Sequence, residues 1–494
     1  VNRSTLSLFG VTAALAAVTG VAVLTGAGAP PAAPAAKAAS LPVERSALTC
    51  PAPSDSDFAT TTYTSFTPIG KTTTSSTGAG SAKLVPVAGA SGKAKSKAVA
   101  PLSTPGKPAT GSADTATAPA LLGTADGKLA PGWTVQQTTV IDTGPDRGVL
   151  GTACTQPDSE FWFPGTSTSA DRSDYVHLTN PDDTAAVVDL ELYGTNGALT
   201  TTTGNGITVP PKSTVPVLLS TLTATKAADL TLHVTARTGR VGASVLASTA
   251  KAGGDWLPAA ADPAGSVVLP GIPADATDVR LVAYATGQDD ADLKVRLLSA
   301  SGAITPAGHE TLHVKSGMTA SADLADLTKG ETGSLVLTPS DPKAAAPVVA
   351  ALRITRGKGA NQETAYIPAT SAITDRATAA DNRAKGSTLS LTAPTAGATV
   401  KITSSAGTGG GTPVTKTVTL KAGTTTALTP ATPTGAKGQY AVTVEHVSGG
   451  PVYGSRMLAL PLNGIPMFTI QPLPDDRGLV AVPDAEENLS ILNN

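Results

Sequence analysis

The feature that most constrains this chain is a period. Turn glycines Gly197, Gly302 and Gly407 stand 105 residues apart, each after an alternating apolar–polar stretch (187–193, 293–298 and 399–404). Each glycine is followed by an apolar stretch broken at a lysine turn, Lys212, Lys315 or Lys421. A hairpin-like pair of apolar runs comes next, at Leu232/Val241, Leu337/Val348 and Val442/Val452. Each copy also opens on a bulky residue ahead of proline: Trp162-Phe163-Pro164, Trp256-Leu257-Pro258, Tyr366-Ile367-Pro368. Alternation between Gly, Pro and Asn/Asp punctuation reads as half-buried antiparallel strands. A period of this length exceeds a propeller blade of ~40–50 residues and suits an immunoglobulin-like sandwich of ~100 residues. The sequence therefore predicts an all-β chain of tandem immunoglobulin-like β-sandwich domains.

The expected boundaries follow. Residues 158–250, 251–360 and 361–466 form three well-formed sandwiches, and 467–494 is a strand segment that begins a further copy. Residues 41–157 read as a degenerate β domain with Ser/Thr/Pro/Gly-rich loops at 71–82 and 89–119. Such composition buries too little surface to offset ordering entropy, so long loops or disorder around a few strands are expected there. The same composition permits O-glycosylation. Residues 1–40 read as a signal peptide or an N-terminal membrane anchor. Arg3 precedes an uncharged run over 6–29, and Ala36-Lys37-Ala38 offers a cleavage site. The run is also long enough to span a bilayer, and both fates stay open.

An exported chain with two cysteines, Cys50 and Cys154, most simply forms one disulfide. A net charge of −2 leaves no basic field for a phosphate backbone, so no nucleic-acid partner is expected. Aromatic residues are only 3% of the chain, which leaves the cores to Val, Leu, Ile and Ala.

Catalytic, metal-ligating and cofactor-binding residues are not nominated. His177, His233, His313 and His446 fall in strands and read as solvated strand residues. His309 and His313 lie four apart, and on a strand that spacing is ~13 Å, too far for one metal. The pairs Asp182-Asp183, Asp289-Asp290 and Asp475-Asp476 sit at turns, where Asp suits the geometry; calcium binding and carboxylate catalysis are the other readings. Gly409-Gly410-Gly411 lacks the Lys-Ser/Thr and helix of a phosphate loop and reads as a hairpin loop. Trp162 and Trp256 are the candidates for sugar stacking, set against a packing role where sandwiches join.

With these residues in view, the chain resembles an uncharacterised family of exported actinobacterial proteins, a domain of unknown function. The resemblance rests on residues 161–165 (Phe-Trp-Phe-Pro-Gly), 178–181 (Leu-Thr-Asn-Pro), 188–194 (Val-Asp-Leu-Glu-Leu-Tyr-Gly) and the two cysteines, and covers roughly residues 41–485. It implies an envelope role, because family members tend to be encoded near cell-envelope glycosyltransferase and mannose-metabolism genes. It carries over no catalytic residue. The expected function is a non-enzymatic exported envelope protein that scaffolds or binds in cell-wall or glycan assembly, secreted or anchored at the outer face of the plasma membrane. Its partner would be an envelope protein or a cell-wall glycan. A carbohydrate-binding module array is the alternative, and a secreted hydrolase the third class.

Overall fold

The alternation read from the sequence becomes antiparallel strand pairing throughout, with short 3-10 turns and no α-helix among the described residues. The computed structural model describes residues 39–70, 80–87, 97–144 and 146–482. The apolar run at 6–29 and the cleavage site at 36–38 lie outside the described residues, as do 71–79 and 88–96 of the low-complexity stretches. The chain divides into two units. In the smaller, strand Ala39–Pro42 pairs antiparallel with Leu479–Val482.

The larger unit, residues 43–478, contains four modules of one strand order. In the first, numbering eight strands from Arg45–Cys50 to Gly148–Ala153, one sheet runs 1-6-3-4 and the facing sheet 5-2-7-8. The same order returns from Glu160–Thr166 to Gly253–Leu257, from Val267–Ile272 to Glu363–Pro368, and from Arg376–Asn382 to Phe468–Pro472. In the second and third modules the fourth position is split into two short pieces. Each pair of sheets closes over one largely aliphatic core. Leu269, Leu281, Leu335 and Leu352 fill the third, Phe163, Val176, Leu190 and Val245 the second, and Leu391, Val400 and Val442 the fourth. The turn glycines fall in one connection, between the third strand and its edge partner, where Gly197 and Gly302 have φ of +94° and +130°. The turns carrying Asp182, Asp289 and Gly397 likewise share the connection between second and third strands.

Three expectations change. Residues 45–153 form a complete module rather than a few strands among loops. Its short strands Val99–Leu102 and Ala109–Ala113 show no clear periodicity, and pairing to Ala82–Pro86 and Ala59–Phe66 fixes them. Cys50 and Cys154 are disulfide-bonded, with Cα atoms 4.4 Å apart, which ties the first strand of this module to the end of its last. Second, the hairpin-like pairs are not hairpins. Leu230–Thr238 and Gly242–Thr249 lie in opposite sheets, because the turn at Gly239 (φ +73°) carries the chain across the core. Third, Trp256 and Tyr366 close their modules rather than open the next. The counterpart of Phe163-Pro164-Gly165 is Leu269-Pro270-Gly271, where the same bulge recurs and the glycines have φ of +97° and +91°. First and last strands are both covered on two sides, so both carry bulky residues, and sequence alone interchanges them. Residues 468–472 accordingly complete the fourth module instead of beginning a fifth.

The modules are joined into a ring. Each last strand contacts two others: Gly148–Ala153 meets Gly253–Leu257, which meets Glu363–Pro368, which meets Phe468–Pro472, which returns to Gly148–Ala153. Around this centre, the first strand of each module lies against the sheet holding the seventh strand of a neighbour, and the fourth module's lies against the first's. Close approach at the axis requires residues without side chains. A Cβ on Gly253 (φ +66°) would stand 2.4 Å from the Arg147 carbonyl and 2.5 Å from Glu363 Oε1.

Two outcomes test this architecture. Gly253→Ala should lower unfolding free energy by about 2–3 kcal/mol more in urea titration than Gly330→Ala, whose site also has positive φ but meets nothing within 4 Å. Reducing the disulfide, which closes 104 residues, should cost roughly 4 kcal/mol in the chain-entropy account. Hydrogen exchange should then show the first module opening ahead of the others.

Candidate functional site

At one end of the central strands, the segments leaving each last strand converge and line a half-open cavity of about 500 Å³. Its wall draws on 153–162, 258–267, 369–372 and 472–477, so every module contributes. Volumes of this order, at junctions between folded units, are where small ligands bind. Trp133, Phe161, Trp162 and Tyr453 are its aromatic members, and Asp158, Glu160, Asp262, Asp475 and Asp476 its carboxylates, with Arg477 beside them.

These carboxylates divide by what they already hold. Asp475 Oδ2 accepts from the backbone N–H groups of Thr374 (2.9 Å) and Asp375 (2.7 Å). Asp476 pairs with the buried Arg376 guanidinium at 2.5 Å. Both fasten the end of the fourth module to its own first strand. Asp158 accepts from the next backbone N–H, of Ser159 (2.7 Å), and Asp262 makes no hydrogen bond or ion pair among the described residues.

Trp162 belongs to a cluster at the rim. Its indole stacks on the His233 ring at 3.7 Å between centroids, with planes 8° apart, and Tyr284 of the third module lies 5.4 Å away. Trp162 Nε1–H donates to Glu160 Oε1 (3.0 Å). His233 Nε2 lies 3.0 Å from the same oxygen, and Nδ1 lies 3.2 Å from Glu191 Oε2. Tyr193 Oη–H donates to Glu191 at 2.9 Å. Alternation on Leu230–Thr238 and its two partners puts these side chains on one outward face.

The other sequence candidates separate. Trp256 is fully buried, so no sugar can reach its face in this structure. Its ring meets His177 edge-on at 5.2 Å, and burial pulls the His177 pKa down to about 4. His313 lies beside Asp292 (2.7 Å) at an exposed edge, and His446 Nε2 is 3.0 Å from the Gly450 carbonyl. Asp182 forms a forked pair with Arg240. Gly409–Gly411 lie in the loop between Ala398–Ser404 and Val414–Leu420. Among the described residues, no group of three or more His, Cys, Asp or Glu is placed to hold a metal ion.

Sequence reasoning missed a polar centre inside the ring. Asp255 accepts from the Gly151 N–H at 2.8 Å, and burial, with Glu363 nearby, holds its pKa well above the usual range. Glu363 is fully buried, and neither of its carboxyl oxygens has a hydrogen-bond partner among the described residues. Between the fourth and first modules, Arg456 Nη2 donates to Gln136 (2.8 Å) and Gln471 (2.5 Å), and burial lowers its pKa to about 10. The available signal was charge and amide groups inside otherwise apolar strand text, at Asp255, Glu363 and Arg456.

The chain belongs to a family of unknown function, DUF5719, whose model matches residues 109–431, more than half of the chain. No curated protein matches it.

The buried centre predicts how stability varies with pH. Burial raises the Glu363 pKa from 4.5 to about 8, so the folded state binds the proton more tightly than the unfolded chain. Its contribution is fully present below pH 4.5 and is lost as pH rises through about 8. The loss is on the order of 5 kcal/mol. Glu363→Gln should remove that loss, flattening the melting temperature between pH 7 and 8. His177 acts oppositely: with a folded pKa near 4 against 6.5 unfolded, its contribution is present above pH 6.5 and lost as pH falls towards 4. His177→Leu should blunt the acid-side decline in the same thermal scans.

Proposed function

We propose that this DUF5719 member is a non-enzymatic, exported envelope protein that binds or scaffolds at the outer face of the membrane, alongside cell-wall or glycan assembly. The observation that carries the reading is the axial cavity. It is built from all four modules, and several of its polar groups are engaged in fastening those modules, as Asp475 and Asp476 are. Such a wall suits recognition and positioning more than proton transfer, which needs a group free to gain and lose a proton at a reacting atom.

Compartment is argued from chemistry. A disulfide persists in oxidising surroundings, and Cys50–Cys154 is one. The uncharged run at 6–29 has the character of an export or anchoring segment. No helix of the described residues is long and apolar enough to cross a membrane. We read each module as immunoglobulin-like in a broad sense. The pairings 1-6-3 and 2-7-8 correspond to B-E-D and C-F-G of that fold. Position 5 adds a strand beside C, position 4 one beside D, and strand A has no counterpart.

A second reading is carbohydrate binding in the cavity itself. Trp162 and Tyr453 supply apolar surface in the wall, and Asp158 and Asp262 supply acceptors. Of the expected Trp162/Trp256 pair, only Trp162 lines the cavity, and it is 8% exposed with one face on His233.

Cell fractionation should place the protein with membrane or wall, and wall polysaccharides should be titrated against it by calorimetry. On the second reading, Asp262→Ala should weaken polysaccharide binding at least about tenfold with an unchanged melting curve. Confinement to the cytosol, or glycan hydrolysis abolished by changing one carboxylate, would refute the leading reading.

A further inference from the structure

We infer that the two-stranded ribbon of Ala39–Pro42 and Leu479–Val482 is a membrane contact, its aliphatic face set into the headgroup–acyl boundary of a phospholipid bilayer. The inference rests on the envelope reading above and takes the anchoring fate of the run at 6–29 rather than its cleavage. Register defines the face: Ala39 opposes Val482 and Leu41 opposes Val480. Directly opposed residues, and residues two apart, share one side of an antiparallel pair. One side of the ribbon is therefore Ala39, Leu41, Val480 and Val482, without a polar side chain. Its three larger residues are 49%, 47% and 40% exposed (Leu41, Val480 and Val482). The ribbon contains no charged residue on either side.

A lone two-stranded ribbon is marginal in water, and an aliphatic face on it lacks the cover that would stabilise it. The chain on its N-terminal side points to what supplies that cover. The apolar run over 6–29 ends at Ala29, and nine residues separate it from Ala39. Fully extended, ten steps of chain reach at most ~36 Å, so an inserted run keeps the ribbon close to the bilayer surface. There, uncharged aliphatic residues partition favourably, and the cost of exposing them to water is removed. The pairing also holds the segment at Leu479–Val482 beside the one that emerges from the anchor.

The test uses the full-length chain in nanodiscs of phosphatidylcholine and phosphatidylglycerol, with and without bromine on the acyl chains. Leu41→Trp and Val480→Trp each place a fluorophore on the ribbon face. Phe58→Trp, at a position 63% exposed in the larger unit, is the reference, and the parent signal is subtracted. Brominated lipid should reduce the added emission about twofold or more at 41 and 480 and leave position 58 unchanged. Protein that enters discs with positions 41 and 480 unquenched overturns the inference and leaves the anchor standing. Equal quenching at 58 overturns it as well, since burial would then not be specific to the ribbon. Failure to enter discs at all removes the anchor reading and the inference with it. A lipid-free dimer dispersed by Leu41→Asp, with no quenching in discs, would assign the face to a second copy instead.

Discussion

Mutual packing of four strands at the axis is the contact on which the rest of the larger unit depends. Each module alone is a small two-sheet stack with an aliphatic core, and such a stack leaves its last strand covered on one side only. Here Gly253–Leu257 and its three counterparts cover one another. The contact is head-to-tail, with unlike surfaces meeting, and contacts of that kind either close or run on as a filament. It closes after four because the fourth module returns to the first: Thr138 donates to Asp381 at 2.8 Å, and Gln136 accepts from the Asp381 N–H at 2.7 Å. The disulfide lies in the module that makes this closing contact. It thus stiffens the module on which closure of the ring depends.

Closure has a cost that the sequence records. Strands that approach this closely need glycine, and Gly148, Gly151, Gly253 and Gly254 supply it. Removing side chains from the axis also leaves backbone groups to satisfy in a dry interior, where an unpaired polar group is expensive. Asp255 meets one such need by accepting from Gly151. Glu363 is the exception, a buried carboxyl without hydrogen-bond partners among the described residues. Its raised pKa follows from that isolation, since the neutral form is the one a low-dielectric site tolerates.

Local pattern was legible to the extent that it is local. Alternation located the strands, the 105-residue spacing of Gly197, Gly302 and Gly407 located the module length, and two cysteines in a chain read as exported pointed to the disulfide. Long-range choices were not legible. Whether Leu230–Thr238 turns back in its own sheet or crosses the core depends on which partners are already in place, and both outcomes need the same apolar alternation. Trp162-Phe163-Pro164 and Trp256-Leu257-Pro258 look alike because both strands are buried on two sides, though one starts a module and the other ends it. Closure itself left no periodic trace. Its marks are single residues, such as Gly148 and Asp255, whose purpose is visible only once a second module stands beside them.

The candidate site inherits that limit. A cavity where four connecting segments meet has no motif, because its residues come from stretches as far apart as Asp158 and Arg477. Charge in its wall needs to be sorted before it can speak about a ligand. Asp475 and Asp476 look like a binding pair in sequence, yet their oxygens accept from Thr374, Asp375 and Arg376 and fasten a module end. Glu160 holds Trp162 in its stack with His233. Asp262 remains, facing the same space with no partner of its own among the described residues. A group that fastens the frame is lost with the frame, whereas a group left free can be changed while the ring stays closed. Asp262 is therefore the wall position at which binding and folding can be separated.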